Sequence, residues 1–314
     1  MNSVLVVGAG AWGTALALQS ARAGRRVTLW ARNPAAIVAT RRSPHLPDHI
    51  LPDSIAVTGR LDGPCDAILL AVPVQHMAAV AASLPEGAPV AICAKGLEAG
   101  TLRLPMEILA AVQPGRAAAV LTGPNFAHEV ASGLPAAAVL AAGDPALRER
   151  LTALLASPGF RLYGNDDPIG AQLGGAAKNV IAIAAGAVMG AGLGENARAA
   201  LITRGLAELG RLIVALGGRA ETVAGLSGLG DLLLTCTGPS SRNFSLGVAL
   251  GRGEALADVL ATRTGVTEGV LTAPALVARS PVELPVCAAV AALLAGQSLA
   301  DAIGALLARP RRDE

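Results

Sequence analysis

The first two dozen residues narrow the folds open to this chain more than any other stretch. Ser3–Val7 is an uninterrupted apolar run of strand length. Gly8, Gly10 and Gly13 follow it in G-x-G-x-x-G spacing, and residues 12–23 then take up a helical pattern that Gly24 ends. The chain must therefore turn sharply from strand into helix. Each glycine answers a separate demand: Gly8 the tight turn, Gly10 the approach of a ligand's phosphates to the backbone, and Gly13 close packing of helix on strand. With 37 glycines in the chain a chance match is easy, so the weight of the pattern comes from its place, the first strand and first helix of a longer alternating region. The turn predicts a dinucleotide site, with the pyrophosphate at the helix N-terminus.

That alternation continues to about residue 163. Further strand-like runs fall at residues 27–31, 67–72, 89–94, 118–121, 136–141 and 160–163, with helical segments between several of them. Strands alternating with helices imply a doubly wound, mostly parallel sheet. Residues 42–53 carry Pro44, Pro47 and Pro52 and read as a loop. After about Asp167 the period-two pattern disappears, and Ala/Leu/Gly-rich stretches with helical spacing run on to the charged tail. Two domains are expected: an α/β dinucleotide-binding domain over residues 1–167 and an all-helical substrate and catalytic domain over 168–314.

Composition excludes several other classes. The 53% hydrophobic content and mean hydropathy of +0.53 raise the question of a membrane protein. The longest uncharged runs, however, are either rich in alanine and glycine (179–194) or broken by Pro285 (284–300), so no insertion is expected. The opening MNSVLVVGAG has no basic segment ahead of an apolar one, and a cytoplasmic location is expected. Cys65, Cys93, Cys236 and Cys287 form no CxxC pair and read as small buried residues. A net charge of +2 with 2% aromatic residues disfavours a nucleic-acid binder. His45 and His49 are spaced i,i+4, but prolines surround them and no Glu completes a zinc motif, so no metal is expected.

Of the 25 basic residues 23 are Arg, and the only lysines are Lys95 and Lys178. Where arginine is the default cation, a retained lysine points to a compact ammonium or one able to lose its proton. Lys178 has Gly174, Gly175, Ile181 and Ala182 three or four positions away on a predicted helix. Apolar surroundings would lower its pKa towards the range useful for proton transfer; the alternative is a lysine that snorkels from the helix rim. Asp231 lies between a glycine-rich turn and an apolar run, placed to orient Lys178, to bind substrate hydroxyls, or to cap the next helix. Ser241, Arg242 and Asn243 supply a hydroxyl, a guanidinium and an amide in succession, a phosphate cradle or a turn. At the end of the second strand, where an acidic residue would bind the ribose 2′-OH of NAD, stand Arg32 and Asn33. A cation there suits the 2′-phosphate of NADP(H), with NAD(H) use also allowed.

Several segments in order, GAGAWGTALA, AKGLE, GPNFAHEV, GGAAKNVIAIAAG, NARAALITRGLAE, GLSGLGDLLLTCT with SSRN, and TEG, resemble the bacterial-type glycerol-3-phosphate dehydrogenase family over nearly the whole chain. The resemblance implies a Rossmann-type N-terminal domain followed by an all-α C-terminal domain. It also implies NAD(P)H-dependent reduction of dihydroxyacetone phosphate to sn-glycerol 3-phosphate, which feeds phospholipid synthesis. By the same resemblance Lys178 is the proton donor and acceptor, with Asp231 beside it. Substrate contacts fall to Lys95, Gly123, Asn125, Lys178, Asp231, Ser241, Arg242 and Asn243. Cofactor contacts fall to Ala11, Trp12, Arg32, Lys95, Ala127, Arg242, Val266 and Glu268, besides Gly8, Gly10 and Gly13. Two positions depart from the family pattern: Ala11 stands where Ser is usual, and Asn125 where Ser is commoner. The sequence does not give the oligomeric state; a homodimer is one assembly open to the chain. Two alternatives stand beside this reading, a β-hydroxyacid dehydrogenase on the same architecture and a catalytically silent nucleotide-sensing module.

Overall fold

The short runs of strand length lie side by side in one sheet, and the helical stretch beyond them folds on itself. The computed structural model describes residues 2–263 and 265–309. The chain divides into two units: the first runs up to Lys95 and takes in Arg103–Gln172, and the second comprises Gly96–Leu102 and the chain from Leu173 onward.

The first unit holds strands β1 (Ser3–Val7), β2 (Arg26–Trp30), β3 (Arg42–Ser43), β4 (Leu46–Ile50), β5 (Ile55–Thr58), β6 (Ala67–Leu70), β7 (Val90–Ile92), β8 (Ala118–Thr122), β9 (Ala136–Ala141) and β10 (Phe160–Asn165). Eight of these form a sheet in the order β10-β9-β8-β7-β6-β1-β2-β5, and every pair is parallel except β8 with β9. Helices α1 (Ala11–Arg22), α2 (Ala35–Thr40), α3 (Val74–Ala81), α4 (Pro105–Val112), α5 (Ala127–Ser132) and α6 (Pro145–Leu155) accompany the sheet. Successive side chains of β1 enter different cores: Val4 and Val6 pack with Leu16, Leu29 and Leu121, whereas Leu5 and Val7 pack with Leu70, Met77 and Ile108. A sheet buried on both faces explains why its strands read as continuous apolar runs. The strand order reverses around β1, whose neighbours are β2 and β6, and the carboxyl end of a strand at such a switch point is where open α/β sheets bind ligands.

Two sequence expectations fail in this unit. Residues 42–53 are not a featureless loop, because β3 and β4 pair antiparallel. Pro47 lies inside β4, which a two-stranded ribbon tolerates since it has no ladder on its outer side. The ribbon is anchored by Arg41, which ends α2 in the left-handed region (φ 54°) and donates through its guanidinium to the carbonyls of Leu51 (3.2 Å) and Ile55 (2.9 Å). The edge strand β5 was not expected either. Other strand limits differ from expectation by one or two residues, the scatter usual at element ends.

The second unit contains no strand among the described residues. Its helices are α7 (Pro168–Gly190, which starts in the first unit), α8 (Gly194–Ala215), α9 (Asp231–Cys236), α10 (Arg242–Gly251), α11 (Leu256–Ala261), α12 (Gly269–Arg279), α13 (Pro285–Leu294) and α14 (Leu299–Leu307). A 3₁₀ turn over Ala220–Ala224 and a π-helical turn over Leu226–Gly230 lead into α9. By length and composition α7 could cross a membrane, but 89% of its apolar window is buried inside the protein, so it reads as a core helix. It packs on α10 with no side chains between the backbones. A Cβ on Gly186 or Gly190 would collide with the carbonyl of Phe244 or Val248, and one on Gly247 or Gly251 with that of Ile183 or Ala187. Glycines four apart on both helices permit this approach, in which Cα–H groups face carbonyl oxygens.

Candidate active site

In the first unit the expected cofactor residues gather at the carboxyl ends of β1 and its neighbours. Gly8 takes φ +113°, and a Cβ there would lie 2.6 Å from the Ala71 carbonyl oxygen. A Cβ on Gly13 would collide with the Gly8 carbonyl, whereas one on Gly10 would meet nothing within 4 Å. Two of the glycines are thus required by protein packing, and the third faces open space. Gly10 is the N-cap of α1 and brings no side-chain acceptor. The N–H groups of Gly10, Ala11 and Trp12 meet no protein acceptor among the described residues, as expected where a helix start is built to receive an anion. The Trp12 indole Nε1 is likewise buried with no protein partner. This donor set fits the pyrophosphate of a dinucleotide. The Ala11 departure costs a hydroxyl but keeps the backbone donor.

Arg32 lies two residues beyond the end of β2 and is exposed. Lys95 follows β7, and its Nζ donates to the Gly123 carbonyl at 3.1 Å. Gly123 takes φ +130°, with the Ala138 Cα only 3.1 Å from where a Cβ would lie. Asn125 donates through Nδ2 to the Ala137 carbonyl (2.9 Å), while its Oδ1 is buried without a protein partner. Ala127 opens α5. Lys95, Gly123, Asn125 and Ala127 therefore lie on consecutive turns around the ends of β7 and β8.

In the second unit Lys178 is 8% exposed, which rules out a snorkelling side chain. Its surroundings are also not simply apolar. Nζ lies 2.6 Å from Asp231 Oδ1 and 3.0 Å from Thr235 Oγ1, partners more than fifty residues away in sequence. Asp231, fully buried, is the first residue of α9 rather than its cap, and its carboxylate turns towards Lys178. Thr235 donates to the Asp231 carbonyl at 2.6 Å, which leaves its oxygen to accept from the ammonium. Sequence reasoning missed Thr235, although its i,i+4 spacing from Asp231 places both on one helix face. Burial pushes the thiol of neighbouring Cys236 up to about 12, with the Lys178 charge only partly opposing.

Ser241 caps α10, accepting from the Phe244 N–H at 3.2 Å. Arg242 is the first residue of that helix; it is exposed, its guanidinium packs over Gly265, and Glu268 supplies the nearby negative charge. Both ends of the Asn243 amide are engaged, Nδ2 with Asn179 Oδ1 (2.9 Å) and Oδ1 with the Gly269 N–H (3.0 Å). Asn243 thus ties α7 to the start of α12, beside Glu268, a role its place in SSRN did not reveal. Val266 is exposed by 47%.

Residues 3–148 match the family model of the NAD-dependent glycerol-3-phosphate dehydrogenase N-terminus, and residues 167–304 that of the corresponding C-terminus. The chain is 57% identical over 319 residues to a glycerol-3-phosphate dehydrogenase (NAD(P)+) of Acidiphilium cryptum, covering 98% of this chain and 97% of the relative. It is 55% identical over 315 residues to that of Gluconobacter oxydans, with the same coverage. A crystal structure of glycerol-3-phosphate dehydrogenase from Coxiella burnetii superposes with a TM-score of 0.92 at 37% identity, covering 98% of this chain and 99% of the other.

Proposed function

Since the chain belongs to the NAD-dependent glycerol-3-phosphate dehydrogenase family, we propose that its two units divide the reduction of dihydroxyacetone phosphate to sn-glycerol 3-phosphate between cofactor holding and proton transfer. The observation that carries this division is the buried Lys178–Asp231 pair, an acid fixed at one place in the second unit. Bound NADPH or NADH supplies the hydride. As the ketone carbon accepts it, negative charge develops on the carbonyl oxygen, and the Lys178 ammonium delivers a proton to that oxygen. In the reverse direction the neutral amine takes the proton from the hydroxyl. Asp231 supplies a counter-charge to Lys178 and, with Thr235, holds Nζ in one direction. Arg242 and the N-terminus of α10 bind the substrate phosphate, combining a guanidinium fork with the positive end of a helix. Lys95 serves a second anionic group in the first unit.

The pyrophosphate is held at the Gly10–Trp12 turn, and Arg32 favours the 2′-phosphate of NADP(H). Four free cysteines, one of them partly exposed, support a reducing, cytoplasmic setting. An open apolar groove along α8, lined by Leu206, Gly210, Val214, Val223 and Val282, supports a homodimer, which light scattering would test. Product glycerol 3-phosphate would feed phospholipid synthesis. The deciding experiment is NADPH oxidation with and without dihydroxyacetone phosphate, for the wild-type chain and for Lys178→Ala. We expect turnover only with the ketone, and Lys178→Ala to bind NADPH but turn over at least 100-fold more slowly. Near-normal turnover of the variant would reject the role of Lys178.

A further inference from the structure

Ser43, which the cofactor reading leaves unused, sits in the β3–β4 ribbon and is fully buried. Its hydroxyl donates to the Ala9 carbonyl at 2.7 Å and accepts from the His45 N–H at 3.3 Å, so its hydrogen has one direction open to it. Ala9 is the middle residue of the Gly8–Gly10 turn. Its carbonyl also accepts from Thr14 Oγ1 at 3.3 Å, and two peptides earlier the Gly8 N–H is tied to the Trp30 carbonyl at 3.1 Å.

The Ala9 carbonyl and the Gly10 N–H belong to one planar trans peptide and point in opposite directions. Drawing the carbonyl towards Ser43 and Thr14 therefore aims the Gly10 N–H the other way, where it meets no protein acceptor among the described residues. Gly10 bounds this peptide on one side and leaves it freer to rotate than most, so its direction is imposed from outside the turn. Thr14 imposes it from within α1, through the longer bond. Ser43 imposes it from a ribbon beside which Arg41 holds the carbonyls of Leu51, Pro52 and Ile55, and which Leu46 and Leu51 tie into the core.

From this geometry we infer that Ser43 is a positioning residue for the dinucleotide: through the Ala9 carbonyl it pre-aims the Gly10 N–H at the pyrophosphate. The inference rests on the cofactor reading above. It makes the β3–β4 ribbon part of the cofactor site without any contact to the cofactor.

The test is Ser43→Ala, with binding of NADPH and of adenosine 2′-monophosphate, which lacks the pyrophosphate, measured on the full chain by calorimetry. One hydrogen bond's net contribution corresponds to roughly a three- to tenfold loss of NADPH affinity. We expect that loss in the KM for NADPH, with kcat, the KM for dihydroxyacetone phosphate and the affinity for adenosine 2′-monophosphate all within about twofold of the wild-type values. Unchanged NADPH affinity, or a parallel fall for both nucleotides, would overturn the inference. Should Ser43→Ala not fold, Ser43→Cys keeps a weak donor of similar size and is expected to lose part of the affinity with the same selectivity. A wild-type chain that binds neither NADPH nor NADH overturns the cofactor reading itself, whereas equal binding by wild type and variant removes only the role of Ser43.

Discussion

Replacing Asp231 with Ala removes the counter-charge of an ammonium that is 8% exposed. At the observed 2.6 Å the Coulomb attraction is about 6 kcal/mol for an effective dielectric constant of about 20. Most of that offsets the cost of taking both ions out of water, so the pair itself adds little net stability. Breaking it is another matter, because Asp231→Ala takes the Asp231 counter-charge from a buried ammonium, at an expected cost of about 3–5 kcal/mol. Lys178→Met takes the ammonium from a fully buried carboxylate at a similar cost. The double variant carries neither charge and should lose less than the sum of the two, by about 3 kcal/mol. Urea unfolding of the four chains, followed by far-UV circular dichroism since the second unit is helical, measures this cycle. Losses that add to within about 0.5 kcal/mol would refute the claim that the two groups act as one buried unit.

Gly186→Ala should cost at least about 1–3 kcal/mol and lower the melting temperature, since its Cβ collides with the Phe244 carbonyl; Gly304→Ala, where a Cβ meets nothing within 4 Å, should instead gain up to about 1 kcal/mol. Burial raises the Glu208 carboxyl above its ordinary value despite donations from the Val286 (2.7 Å) and Cys287 (3.3 Å) N–H groups. Its folded form therefore holds a proton more tightly than its unfolded form. The resulting contribution to stability is full below the unfolded value and is lost as pH rises through the folded one, so wild type should gain on Glu208→Gln between about pH 7 and pH 4 in pH-dependent melting curves. Arg32→Ala should raise the KM for NADPH by about tenfold and leave that for NADH nearly unchanged in steady-state kinetics; equal effects on both would remove Arg32 from 2′-phosphate recognition.

Buried parallel strands are the part of this fold that sequence reveals best. Ser3–Val7 and Ala136–Ala141 are continuous apolar runs and were delimited to the residue. Strand direction leaves no such trace, which is why the antiparallel β8–β9 pair was not foreseen. The ribbon of β3 and β4 escaped because its prolines and polar residues carry turn chemistry while its pairing does not depend on a buried face. In the site, Lys178 stood out because lysine is rare in this chain. Its true environment did not, because Asp231 and Thr235 arrive from another helix, and no local period encodes a contact across 53 residues. The SSRN run suggests an Asn243 amide open to a ligand, whereas the partners that occupy it lie on α7 and α12. Ser43 was hidden twice, inside a segment read as loop and behind a carbonyl that sequence cannot orient.

The four glycines between α7 and α10 also bear on how the second unit can change over time. Helices that meet through side chains can slide or tilt by swapping rotamers, and a lineage can adjust them one methyl at a time. Here the backbones touch, so the junction has no such play, and every single substitution at Gly186, Gly190, Gly247 or Gly251 is an enlargement. The helix bearing Lys178 and the helix that begins at Arg242 therefore behave as a single casting. Tuning of the distance between proton donor and guanidinium is left to the longer, looser connections on either side, such as the segment from α9 to α10.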